Sequence, residues 1–148
     1  MSLVNEQAAF LHDVMKLIQF STEQAFVVTG GELYRPVELQ EIYVRSGRSK
    51  TMNSRHLKRC AIDLNFFLQQ DGKLQLTYDL VVLKKIGDYW EGLSSKNSWG
   101  GNWNSFKDVP HFERRVQDAN ENPPPAKALG NNAKLSPVVA ARIKPKTN

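Results

Sequence analysis

Two of the three histidines stand near carboxylates at spacings that suit a metal ion. His56 is followed seven residues later by Asp63, an acid inside the otherwise apolar run Cys60 to Phe67 (CAIDLNFF). Burying a lone carboxylate costs several kcal/mol unless it is paired or bound to a cation. His111 closes the segment Asp108-Val109-Pro110-His111, where proline stiffens a turn and the spacing of three can set an acid beside an imidazole. Two histidines and one carboxylate form a three-ligand set that leaves zinc an open fourth position for water. Zinc draws the pKa of such a water towards ~7, and a neighbouring carboxylate can take its proton. Asp63 also has a plainer reading, as an acid paired with a nearby arginine or capping a turn. His12 has no partner at ligand spacing and reads as a helix histidine.

These residues need elements to hold them. Glu6 to Phe20 alternates at helical spacing, with Phe10, Val14, Leu17 and Ile18 on one face. Ala25 to Thr29 (AFVVT) reads as a short strand ending at Gly30-Gly31. Pro36 opens a second helix to about Ser46, which Gly47 stops. Cys60 to Phe67 is a buried strand, and Tyr78 to about Tyr89 a third helix. Ser94 to Asn104 reads as a loop carrying Trp99 and Trp103, and Val109 to Phe112 as a last extended piece. Helices segregated from a few strands predict an α+β fold, a small antiparallel sheet with helices packed against it.

The residues from Ser54 to Asp63 (SRHLKRCAID) resemble the S-x-H-x-x-G-x-A-x-D motif of the zinc D-Ala-D-Ala carboxypeptidase and L-alanyl-D-glutamate endopeptidase family. Asp108 to His111 is similar to its second motif. Thr29 to Arg35 (TGGELYR), followed by Gln40 and Tyr43, is similar to its arginine-bearing segment. Trp99 to Trp103 (WGGNW) and His111-Phe112-Glu113 resemble the short phage and prophage branch. The resemblance spans roughly residues 5–114. It implies zinc at the sheet, bound by His56, Asp63 and His111. It makes Asp108 the general base, where many relatives carry Glu. Arg35 would hold the substrate and stabilise the developing oxyanion, and Ser54 would hydrogen-bond substrate. The substrate implied is the peptidoglycan stem peptide, cut at L-Ala–D-Glu by first preference and at D-Ala-D-Ala by second. Arg59 departs from the motif, standing at its glycine. With Asp108, it keeps open a non-catalytic wall-binding or virion module.

Composition narrows the field. The 148 residues, 41% hydrophobic and 24% charged, are enough for a core without covalent staples. One cysteine, Cys60, excludes an internal disulfide framework and any multi-cysteine metal site. No apolar run approaches the ~18 residues of a membrane span, so no membrane insertion is expected. The N-terminus lacks a basic region and contains Glu6, unlike a secretory signal. The expectation is accumulation in the cytoplasm and action on the wall after release, or carriage in a virion. Residues 114–148 hold seven basic and two acidic residues, the whole net charge of +5, and no aromatic residue. A basic tail on a neutral body is no nucleic-acid groove, so nucleic acid is not an expected partner. The chain therefore divides into a peptidase domain, 1–116, and a Pro/Lys-rich tail, 117–148. Oligomeric state is not legible.

Overall fold

A computed structural model describes residues 1–117, so the expected tail lies outside the described residues apart from Gln117. The described residues form two compact units, 1–35 with 55–117, and 36–54. The first unit contains helices α1 (Leu3–Glu23) and α3 (Leu80–Leu93) and an antiparallel sheet. The sheet comprises β1 (Val27–Gly30), β2 (Ala61–Gln70), β3 (Lys73–Thr77), β4 (Asn97–Trp99) and β5 (His111–Arg114). Strand order is β1-β2-β5-β4, with β3 paired to the outer half of β2. The second unit holds α2 (Val37–Arg45). The fold class is α+β, as the pattern predicts.

Local chemistry accounts for the elements. The Ser2 hydroxyl accepts from the Asn5 amide at 3.3 Å and caps α1. Its inward stripe is Phe10, Val14, Leu17 and Ser21. Ile18, expected on that stripe, is instead 39% exposed, because it lies a full 100° round the helix from Leu17. Asp79 caps α3 by accepting from Val81 and Val82 at 2.8 and 3.0 Å, so this helix starts after Tyr78. Pro36, in extended conformation, precedes α2, and Gly47 ends it at φ +75°. Within that unit the Gln40 amide donates to Ser49 Oγ and to the Thr51 carbonyl.

Strand β3 has no counterpart in the sequence expectation. Its residues KLQLT bury no side chain, so no core periodicity announces it. It follows a two-residue hairpin turn, Asp71-Gly72, with φ of 50° and 74°. The expected loop 94–104 likewise contains a strand, β4.

The sheet's two faces divide the labour. Leu64 and Phe66 of β2 and Phe112 of β5 turn to the core with α1 and α3. There Trp90 meets Phe10 and Phe112 edge-on, with ring centroids 5.8 and 5.9 Å apart. Alternation sends Asp63, His111 and Glu113 to the opposite face. At the end of β5, buried Arg114 reaches Glu6 of α1 at 2.7 Å, and Lys96 also pairs with Glu6. Hydrogen bonds from Lys96 and Arg114 hold the Glu6 carboxyl below its ordinary pKa. The stability this pairing contributes is present above the ordinary pKa and is lost as pH falls below it. Glu6→Leu leaves Arg114 with Asp13, at 3.6 Å, as its remaining carboxylate. Urea unfolding at pH 7 is expected to show a loss of about 3 kcal/mol or more, and a smaller loss in acid.

Candidate metal centre

Three side chains from distant parts of the chain converge on the face of the sheet opposite α1 and α3. His56 lies on a short 3₁₀ turn, Arg55–Lys58. The His56 carbonyl accepts from the amides of Arg35 and Arg59 at 3.2 and 3.3 Å, fixing that turn. Asp63 lies in β2, its amide donating to the Glu32 carbonyl at 2.9 Å and its carbonyl accepting from Gly31 at 2.7 Å. His111 opens β5 directly opposite Asp63. The His111 amide donates to the Asp108 carbonyl at 3.1 Å, closing the turn that contains Pro110.

The distances fit a metal ion. His56 Nε2 and His111 Nδ1 are 3.2 Å apart, and Asp63 Oδ1 is 3.5 and 3.4 Å from them. Three donors bound at zinc's usual lengths in a tetrahedron stand roughly 3.3 Å from one another. Among the described residues these three form the group able to hold a metal ion. Each imidazole is oriented from behind. His56 Nδ1 is 3.1 Å from the Leu33 carbonyl, and His111 Nε2 is 3.0 Å from Glu113 Oε2.

Electrostatics point the same way. Burial disfavours ionised Asp63, but hydrogen bonds from His111 and His56 outweigh it and hold its pKa well below the usual range. Burial also disfavours protonated His111, yet its bonds to Asp63 and Glu113 raise it to about 9. The cluster therefore favours positive charge between its carboxylates. Burial pushes the Cys60 thiol up to about 11, so it supplies no thiolate.

Asp108 stands at the rim of the cluster, its Oδ2 4.0 Å from His111 Nδ1. Burial raises its pKa, with the positive charge of His111 opposing. Arg35 is buried and bidentate on Glu32, at 2.7 and 3.1 Å, and its charge reaches Asp108. Trp103 sets its ring 5.0 Å from that of His111, while Trp99 is a core residue. Ser54 belongs to the second unit, so the three donors meet without it. His12 is exposed on α1, as expected. Sequence reasoning missed Glu32 as the partner of Arg35 and Glu113 as the support of His111. The signal available for Glu113 was its place two residues on in a strand, on the same face as His111.

A family model described as D-alanyl-D-alanine carboxypeptidase matches residues 47–114, a segment containing all three donors and Asp108. The chain is also similar to the crystal structure of the Serratia marcescens L-Ala D-Glu endopeptidase ChiX, with 24% identity and a TM-score of 0.54. That likeness covers 70% of this chain and 78% of the Serratia protein, and shows a shared fold. No curated protein matches the chain.

Relative to the motif in this peptidase family, Arg59 holds the glycine position at φ 54°, in the left-handed region. Its guanidinium lies over the Tyr34 ring, 4.4 Å from the centroid. Left-handed strain costs roughly 1–2 kcal/mol. The cation–π contact offsets ~0.5–1 kcal/mol, and avoiding glycine's extra chain entropy offsets ~0.5–1 kcal/mol. Arg59→Gly is therefore expected to leave both melting temperature and zinc affinity unchanged. Gly100 behaves in the opposite way, since a Cβ there would stand 2.2 Å from the Asp108 carbonyl oxygen. Gly100→Ala must push away the turn holding His111. It is expected to cost ~1–3 kcal/mol by thermal unfolding and to weaken zinc in a chelator-competition titration.

Proposed function

We propose that the protein is a zinc-dependent peptidase of the peptidoglycan stem peptide, acting first at L-Ala–D-Glu. The observation that carries this reading is the near-equal spacing of His56 Nε2, Asp63 Oδ1 and His111 Nδ1, with Asp108 beside them. In this reading His56, Asp63 and His111 hold the metal. A zinc ion supplies Lewis-acid activation of water and of the scissile carbonyl when bound. Asp108 takes the water proton on its carboxylate and passes it to the leaving amine. Arg35, held in place by Glu32, presents positive charge to the tetrahedral intermediate. Ser54 hydrogen-bonds the substrate backbone. Trp103, its ring 5.0 Å from that of His111, offers the substrate an apolar surface beside the site.

The fold shared with an L-Ala D-Glu endopeptidase supports the first bond, and the description of the matching family model supports a second reading, D-Ala-D-Ala carboxypeptidase action. Among the described residues no helix is long and apolar enough to cross a membrane. We place the enzyme in the phage or prophage lysis type, reaching the wall after release or aboard a virion, with residues 117–148 as an appended tail.

The zinc-loaded protein, incubated with purified peptidoglycan and read by mass spectrometry, is expected to yield new L-Ala carboxyl and D-Glu amino termini. Released D-Ala would make it a carboxypeptidase. Tight wall binding with no new termini would instead leave a non-catalytic module.

Asp108→Asn is expected to keep one zinc per chain and lose at least ~10²-fold in turnover. In the metal-free protein, burial raises the pKa of Asp108. A carboxyl whose pKa is raised by folding stabilises the fold when protonated and opposes it when ionised. In chelator-treated protein at pH 7, Asp108→Asn should therefore raise the melting temperature.

A further inference from the structure

The two histidines present different nitrogens to the cluster, and different groups stand behind them. A backbone carbonyl only accepts, so the 3.1 Å contact from His56 Nδ1 to the Leu33 carbonyl puts the proton on Nδ1 and leaves Nε2 for the cluster. His111 is turned the other way, with Nδ1 towards Asp63 and Nε2 3.0 Å from Glu113 Oε2. We propose that Glu113 is the positioning residue of the metal centre. Its carboxylate fixes His111 as the Nε2–H tautomer, aims Nδ1 at the metal and sets a second negative charge behind the ligand shell. This rests on the zinc reading of the cluster and extends it to a residue that touches no metal position.

Three observations support the assignment. Glu113 follows His111 by two residues in β5, so both side chains leave the same face of one strand. Its cross-strand neighbours are Ala61 of β2 and Ser98 of β4, small and uncharged, which leave the carboxylate free to lean along the strand. Among the described residues its side chain has one ionic partner, His111, and it keeps 17% exposure while His111 is buried. Lone surface ion pairs are weak, but a carboxylate bonded to a buried imidazole acts through the ring's orientation and basicity. With Asp63, it brings two negative charges to a dication held by two neutral imidazoles.

The test measures the metal, independently of wall digestion. Zinc affinity by chelator competition, the visible spectrum of the cobalt(II) form, and ¹⁵N shifts of the His111 ring are compared in wild type, Glu113→Gln and Glu113→Ala. Glu113→Ala is expected to weaken zinc by ~10–100-fold and to alter the cobalt spectrum. In the zinc-loaded Glu113→Ala protein the ¹⁵N shift of His111 Nε2 is expected to move away from the wild-type value as its carboxylate acceptor is lost. Glu113→Gln, whose amide oxygen still accepts from Nε2–H, is expected to fall between. Wild-type affinity, spectrum and Nε2 shift in Glu113→Ala would overturn the proposal while leaving the zinc site intact. Should Glu113→Ala fail to fold, unchanged affinity and spectrum in Glu113→Gln would overturn it. A wild-type protein that takes up no zinc would overturn the metal reading itself, and this proposal with it.

Discussion

The antiparallel register of β2 against β5 is the constraint on which the rest depends. It sets Asp63 opposite His111, Ile62 opposite Phe112 and Ala61 opposite Glu113. A slip of one residue would turn every side chain of β5 to the other face. His111 and Glu113 would then point at the helices, and Phe112 at solvent. What prevents the slip is packing on the far side of the sheet. Phe112 is enclosed by Phe66, Trp90 and Trp99, and Arg114 is tied to Glu6 of α1. The apolar face thus aligns the chemistry of the polar one.

A second line of support runs from α3 to Asp108. Gly87 lacks the Cβ that would collide with the Trp99 ring, leaving a seat for that indole in the helix surface. Glu91, one turn on, accepts from the Trp99 amide and from the Asn102 side chain, each at 3.0 Å. Trp99 Nε1 then donates to the Val109 carbonyl at 2.8 Å, inside the turn that joins Asp108 to His111. A tryptophan in the core therefore positions the loop beside the candidate metal centre without touching it. Trp103 remains at the surface of the same loop, over the His111 ring.

The sequence made some of this architecture legible, and the reasons are local. Helix α1, the turn before α2 and strand β2 are readable because apolar spacing, Pro36, Gly47 and the run around Asp63 each carry a strong local preference. The cluster of His56, Asp63 and His111 is readable in part, because a carboxylate in an apolar strand calls for a partner and the spacing of the histidines resembles a known motif. Strand β3 is not readable from periodicity, since it offers the core nothing, although Asp71-Gly72 is a hairpin turn pair. Nor are the pairings of Glu6 with Arg114 or Glu91 with Trp99, which join residues whose proximity only the fold creates. Asp63 is also less enclosed than its apolar neighbours imply, with its side chain 27% exposed, because it leaves the sheet on the face opposite the core.

The two histidine supports differ in what evolution can do to them. The carbonyl behind His56 belongs to the main chain at Leu33, so any amino acid at that position still provides it. The carboxylate behind His111 is a side chain, and a single codon change removes it. One half of the centre is thus buffered against mutation, while the other is open to it. A substitution at position 113 can therefore change the surroundings of His111 without altering His56, Asp63 or His111 themselves.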